Sequence, residues 1–296
     1  MSILKKITTA IIVLLSFEAL YSQTKNEKPN ILFVLSDQWR RQAMGFLNED
    51  PVLTPHLDKF VKEAVFFQNS VTNTPICGPS RASIFTGQHP QTHGVVANSI
   101  RLSTKSITLG DVVKKEGYQT AYIGKLHLDG KDERFVPKER RHGFDYWITS
   151  NSHVPFQQGY FIQDNPKVQV MKDSWEPDWI TDKALHYLDS TKGKPFCMVL
   201  SFGPPHTGGG KGFEDRKEPG RRVNGAVKYG YGYAAPKKFE DLYPNPQNLP
   251  RRKNVEPVEK PKDESWDVLP GYFGAITSID ENFGRIIAYL KEKKLF

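Results

Sequence analysis

From Ile31 to Leu35 every position is apolar, without the alternation of a half-exposed strand, so the run predicts a strand buried on both faces of a parallel sheet. Thr54-Pro55 supplies a helix cap and a first-turn proline, and Leu57, Phe60, Val61 and Ala64 follow at helical spacing, which predicts one buried face. The alternation of strand and helix continues. A helix is expected over Thr108 to Lys115, closed by Gly117, then a strand over Tyr118 to Ile123. Trp179 to Leu188, with Gly193 beyond it, reads as a helix, and Phe196 to Phe202 as a second fully buried strand. Finally Tyr272, Ile276, Ile279, Phe283, Ile286 and Leu290 advance in steps of three and four residues, the period of an amphipathic helix. The pattern is that of an α/β fold, a largely parallel sheet with helices on both faces.

Between Thr207 and Glu264 this pattern dissolves into Gly208-Gly209-Gly210, scattered prolines and the pairs Arg221-Arg222 and Arg251-Arg252. So long a basic loop is unusual inside a domain, and two readings stay open: a lid or substrate-contacting surface, or a partly disordered segment. At the other end, Lys5-Lys6 followed by the apolar run from Ile7 has the build of a secretory signal, so residues 1–22 are set apart as a leader and export to the periplasm or the extracellular space is expected. Ser16 and Glu18 break the run and make it a poor membrane span, with an uncleaved N-terminal anchor as the alternative.

Composition narrows the class. The chain is 38% hydrophobic and 25% charged, which is ordinary for a globular protein and excludes collagen or wholesale disorder. Its net charge of +8 suits an anionic partner. For an exported chain that points to an anionic small molecule or glycan before nucleic acid. Two cysteines, Cys77 and Cys197, do not make a disulfide framework. Cys197 lies in an apolar strand and reads as a core residue.

Open α/β sheets place reactive groups beyond the carboxyl ends of their strands, and three predicted strands here end in polar residues. They are Ser36-Asp37-Gln38, Gly124-Lys125-Leu126-His127 and Gly203-Pro204-Pro205-His206. A carboxylate and an amide oxygen suit a hard cation, while a lysine and two histidines suit an anion that must be held and protonated. Each has an ordinary reading as well: a turn residue for Asp37, a solvated lysine for Lys125, a loop histidine for His206. The sharpest segment is Pro75-Ile76-Cys77-Gly78-Pro79-Ser80-Arg81. Its cysteine stands at the expected start of a helix, where backbone N–H groups favour an anion, and Arg81 follows one turn later. His89 and His93 read as structural. Asp280, Glu281 and Asn282 read as solvent-facing positions of the last helix, and Trp39, Arg40, Lys228, Tyr229 and Tyr231 as candidate sugar contacts.

These residues resemble the type I sulfatase family of the alkaline-phosphatase superfamily. Cys77-Gly78-Pro79-Ser80-Arg81 matches its C-x-P-S-R motif, extended through Thr86-Gly87, and Gly117-Tyr118 through Gly124-Lys125-Leu126-His127 matches its second signature. Pro29-Asn30-Ile31-Leu32 to Asp37-Gln38, Thr54-Pro55-His56-Leu57-Asp58 and Pro204-Pro205-His206 are similar too, so the resemblance covers nearly all of 23–296. It implies a sulfuric ester hydrolase acting on a sulfated sugar or glycan, matured by a formylglycine-generating enzyme that oxidises Cys77 to the aldehyde formylglycine. One hydroxyl of the hydrated aldehyde attacks sulfur and the alcohol leaves, giving a covalent sulfate on the enzyme; the second hydroxyl then loses its proton and expels sulfate, restoring the aldehyde. By the same likeness Asp37, Gln38 and modified Cys77 bind one calcium ion. Arg81 and Lys125 hold the diol and the sulfate oxygens, His127 manages the diol's proton, and His206 contacts sulfate or protonates the leaving group.

Two departures stand out. Gln38 replaces the second aspartate that many family members carry. A further strand with another metal-binding aspartate, and a later sulfate-binding lysine, are implied by the family and lie outside this chain, which therefore reads as the N-terminal part of a longer catalytic domain. Two other activities fit the same scaffold: a phosphate or phosphonate ester hydrolase, and an inactive module that binds sulfated glycans.

Overall fold

The computed structural model describes residues 28–130, 135–151, 160–163, 168–171, 174–206, 222–223, 226–227, 233, 235–244, 249 and 268–296. Residues 1–30 form one unit and Ile31–Phe296 another, and the fold below is that of the second. The leader, most of the 207–264 loop, and Lys228, Tyr229 and Tyr231 within it lie outside the described residues. Among the described residues, no helix is long and apolar enough to cross a membrane.

The elements follow in the order β1 (Ile31–Ser36), α1 (Pro55–Phe60), α2 (Cys77–Thr86), α3 (Pro90–His93), α4 (Leu109–Lys115), β2 (Gln119–Lys125), β3 (Tyr146–Ser150), β4 (Tyr160–Ile162), β5 (Val168–Val170), α5 (Glu176–Ser190), β6 (Phe196–Phe202), α6 (Lys237–Glu240) and α7 (Val268–Glu292). The sheet runs β1-β6-β2-β3-β4-β5. Its first four strands are parallel, and β4 and β5 add an antiparallel edge. This is the α/β architecture expected from the alternation of apolar runs.

Both faces of β2 and β6 are covered, whereas β1, at the edge of the sheet, is half-buried along its whole length, which corrects its reading as a strand buried on both faces. Ala121, Ile123, Met198 and Leu200 pack with Ile180, Ala184 and Leu188 of α5 and Ile279, Ile286 and Leu290 of α7. Their neighbours Tyr122 and Val199 point the other way, against Ala82 and Phe85 of α2 and Trp147. Every residue of β6 is buried. The register pairs Ser36 with Phe202 and Gly124 with Ser201, so the carboxyl ends of β1, β6 and β2 finish side by side. Gly124 sits at φ 110°, and a Cβ there would lie 2.0 Å from the carbonyl oxygen of Ser201. Only glycine lets β2 and β6 approach this closely at that point.

Helix starts show local and long-range capping side by side. Thr108 and Asp111 form a reciprocal capping box at α4. At α1 the Thr54 side chain does not cap the helix; its hydroxyl donates to Asp58 and accepts from the Gly45 N–H. The first-turn N–H groups of His56 and Leu57 donate instead to Asp280 at 3.0 and 2.8 Å. Helix α1 also stops at Phe60, passes into a 3-10 turn, and leaves Ala64 exposed, so the apolar face expected from Leu57 to Ala64 is shorter than its spacing suggested.

In α7 the six periodic residues are all buried, as their spacing predicts. Asp280 and Asn282 are buried too, which corrects their reading as solvent-facing; Glu281 is exposed. The physical reason is that α1, α5 and α6 pack on different sides of α7, so its buried surface is wider than one stripe. Asn282 donates to Asp178 at 2.7 Å and to the carbonyl of Ser278. In the 207–264 loop the described residues include α6 and a short antiparallel pair, Arg222–Val223 with Ala226–Val227.

Asp280→Ala leaves two first-turn N–H groups of α1 without their acceptor. It is expected to lower stability by about 2 kcal/mol. The urea unfolding midpoint checks this, and an unchanged midpoint would remove Asp280 as the cap.

Candidate active site

The three strand ends meet at the same edge of the sheet. From β1, Ser36 donates its hydroxyl to the Pro204 carbonyl at 2.9 Å. The chain then turns at Gln38, which holds φ 62°, a left-handed conformation that costs a side-chain-bearing residue about 1 kcal/mol. The Tyr272 hydroxyl clamps this turn: it donates to the Gln38 carbonyl at 3.1 Å and accepts from the Arg40 N–H at 2.9 Å. His127, past the end of β2, is likewise left-handed at φ 55°, held by its N–H to the Asn151 carbonyl at 2.8 Å. Such strain collects where a fold fixes side chains for function.

Cys77 is the first residue of α2, and its thiol donates to Asp37 Oδ1 at 3.6 Å. Arg81, one turn further, is buried. Its Nη1 donates to the Lys125 carbonyl at 2.7 Å and to the Ser201 hydroxyl at 2.8 Å, and its Nη2 lies 3.7 Å from Asp37 Oδ2. The Lys125 ammonium contacts the same carboxylate oxygen. Far from being solvated, Lys125 is 2% exposed. The polar atoms of Asp37, Cys77 and His206 lie within 4.8 Å of one another, close enough to share one ion. The side-chain amide of Gln38 donates from Nε2 to the Tyr233 hydroxyl at 3.4 Å.

The structure thus brings Asp37, Cys77, Arg81, Lys125 and His206 together, with His127 next in line along the β2 end and Gln38 beside Asp37 on the β1 turn. Ser201 and Tyr122 went unnoticed in the sequence, and Tyr272 was read there only as a buried position of the last helix. Ser201 and Tyr122 sit inside apolar runs and orient Arg81 and the Lys125 carbonyl. For Ser201 the available signal was a lone hydroxyl in an otherwise apolar strand. Other candidates are structural. His93 is buried, meets the Ser83 hydroxyl through Nε2 and accepts the Val95 N–H. Trp39 donates to the Ala43 carbonyl and Arg40 pairs with Asp50, so both are engaged within the fold. Cys197 is fully buried and burial pushes its thiol up to about 11, an inert core residue.

Residues 29–296 match the sulfatase family model. The chain belongs to the sulfatase family. It is 37% identical over 269 residues to an ulvan-active sulfatase of Formosa agariphila, covering 90% of this chain and 47% of that sulfatase. An endo-4-O-sulfatase of Bacteroides thetaiotaomicron is 29% identical over 309 residues, covering 90% and 56%. Among solved structures, a sulfatase from a Bacteroides thetaiotaomicron locus for the metabolism of multiple glycosaminoglycans superposes with a TM-score of 0.75 at 29% identity, covering 91% of this chain and 59% of that one. The chain spans about half the length of the curated sulfatases it matches.

Electrostatics give this sulfatase site its character. Burial pushes the Asp37 carboxyl up, but the Lys125 and Arg81 charges outweigh it and hold the group down at about 2. Burial pulls Lys125 below the usual lysine range, and the Asp37 charge works against that pull. Burial also raises the Cys77 thiol above its ordinary range, so at neutral pH it is protonated. A thiol acting as nucleophile needs the opposite shift. The site therefore does not activate Cys77 as a thiolate. The ionised Asp37 carboxylate supplies an oxygen ligand suited to a hard cation, with Cys77 and His206 within reach of the same ion.

His127 is held down at about 4, first by burial and then by the Lys125 and Arg81 charges. Between that value and an unfolded histidine near 6.5, the folded chain binds fewer protons than the unfolded one, so this contribution to stability is full above about 6.5 and is lost as pH falls towards 4. The parent should lose stability relative to His127→Gln on going from about pH 7 to about pH 4. Urea midpoints of the two proteins check it; a gap constant over that interval would contradict the assignment.

Proposed function

We propose that this chain carries the reaction centre of a sulfuric ester hydrolase that releases inorganic sulfate from a sulfated carbohydrate, with Cys77 converted to formylglycine. The observation that supports it most is the position of a protonated, non-activated Cys77 against Asp37, the carboxylate that the cations Arg81 and Lys125 contact, on the C-x-P-S-R motif of a sulfatase-family chain. An ordinary thiol has no use for this setting, whereas a hydrated aldehyde supplies two hydroxyls on one carbon, one to attack sulfur and one to release the bound sulfate.

The residues divide the work by their charge. Arg81 and Lys125 offer fixed positive charge to the sulfate oxygens, and charge fixed in place before reaction stabilises a transition state most effectively. His127, neutral at physiological pH, accepts a proton from the diol; His206 faces the same point and protonates the departing sugar oxygen or holds sulfate. Asp37, modified Cys77 and Gln38, through its amide oxygen, would hold one calcium ion. That ion would polarise the sulfate and favour the ionised diol. Maturation by a formylglycine-generating enzyme and export by residues 1–22 complete the reading. Relatives named for ulvan and for endo-4-O-sulfate chemistry support a sulfated glycan as the substrate class.

Sulfate monoesters carry one negative charge where phosphate monoesters carry up to two, so one pocket can stabilise only one of the two transition states best. The full-length protein should release sulfate from a sulfated sugar with a kcat/KM well above that for the matched phosphate ester, and Cys77→Ala and Asp37→Ala should each abolish it. Turnover confined to phosphate or phosphonate esters would hand the site to that chemistry, and binding of sulfated glycans with no turnover would leave a binding module. His206→Ala should cost at least about tenfold on a sugar leaving group and less on an activated phenol. Equal losses on both would limit His206 to holding sulfate.

A further inference from the structure

The segment Gly203-Pro204-Pro205-His206 has few backbone donors. Two of its four residues are prolines and donate no backbone hydrogen bond. Its N–H donors are therefore those of Gly203 and His206. The His206 N–H is spent closing the turn on the Gly203 carbonyl at 3.2 Å. Ser36 reaches the middle of the turn through the Pro204 carbonyl. That leaves the Gly203 N–H as the donor that can tie the start of the turn to the body of the protein, and it goes to Glu176, at 3.0 Å to Oε1 and 3.2 Å to Oε2.

Glu176 opens α5 and is 1% exposed. No part of the proposed reaction uses it. A buried carboxyl is costly to leave without purpose, and this one faces the backbone at the root of the turn that carries His206. We propose that Glu176 is a positioning residue for His206, anchoring the Gly203 amide so that the imidazole faces Asp37 and Cys77. The inference rests on the reading of His206 given above and deepens it.

Burial, only partly offset by the Gly203 N–H, pushes Glu176 up to about 8, so at pH 7 an amide oxygen is a fair replacement for it. Glu176→Gln keeps an acceptor in the same place, while Glu176→Met fills the same volume and removes it.

In the full-length protein, Glu176→Met should lower kcat on a sulfated sugar at least about tenfold and on an activated aryl sulfate by less, with KM little changed, whereas Glu176→Gln should stay within about threefold of the parent on both. In a His206→Ala background Glu176→Met should cost less than about twofold more, because a residue that acts through another has nothing left to act on. Losses of equal size in both backgrounds, or equal on both substrates, would make Glu176 a general structural residue and overturn the proposal, as would an unaffected Glu176→Met.

Amide hydrogen exchange gives a readout independent of turnover. Gly203 and His206 should exchange at least about tenfold faster in Glu176→Met than in the parent or in Glu176→Gln. Unchanged exchange overturns the positioning role whatever the activity. A parent that releases no sulfate, yet shows the exchange difference, overturns the sulfatase reading and leaves the anchor standing.

Discussion

One carboxylate, Asp37, stands between two buried cations, and the rest of the site depends on that contact. An ammonium or guanidinium taken out of water without a counter-charge costs several kcal/mol, and Asp37 is the carboxylate that offsets this cost for both Lys125 and Arg81. Asp37 in turn stays ionised only because the two cations outweigh its burial. The three side chains come from β1, α2 and the end of β2, elements far apart in sequence. Their meeting is a consequence of the parallel register that ends β1, β6 and β2 together. Gly124, which lets β2 press against the Ser201 carbonyl, is part of the same arrangement, since Ser201 then offers its hydroxyl to Arg81.

This cluster does not favour Cys77 as a thiolate. The neighbouring cations would favour a thiolate, but burial and the Asp37 charge oppose it, and burial is the largest of these influences. The same environment is well suited to anionic oxygen, to a cation held by oxygen, and to a sulfate group. Function on this reading comes from a chemical change at Cys77 within a pocket whose charges are already set by the fold.

Much of the architecture was legible in the sequence because packing against a covered sheet restricts composition: Phe196 to Phe202 is fully buried and apolar but for Ser201, and Ile31 to Leu35 is apolar throughout although the edge position leaves it half-buried. The spacing of α7 was as clear. What escaped was polar burial. Asp280 looked solvent-facing because periodicity marks the apolar stripe and is silent about a carboxylate that caps another helix. Glu176 was hidden for a related reason: an acid in the first turn of a helix ordinarily reads as a partner for the helix dipole. The strand-end residues were legible through their motif, but the direction of the Gln38 amide, towards Tyr233, depends on a loop tyrosine far along the chain.

The most direct test of the charge cluster is the affinity for inorganic sulfate, the product, measured by calorimetry on the calcium-loaded full-length protein and on Lys125→Met. A buried ammonium that contributes fixed charge to the anion pocket should be worth at least about tenfold in sulfate affinity, so Lys125→Met should bind that much more weakly while still unfolding cooperatively. Equal affinity in the two proteins would contradict the account, because Lys125 would then serve Asp37 alone and the pocket would owe its anion binding to other groups.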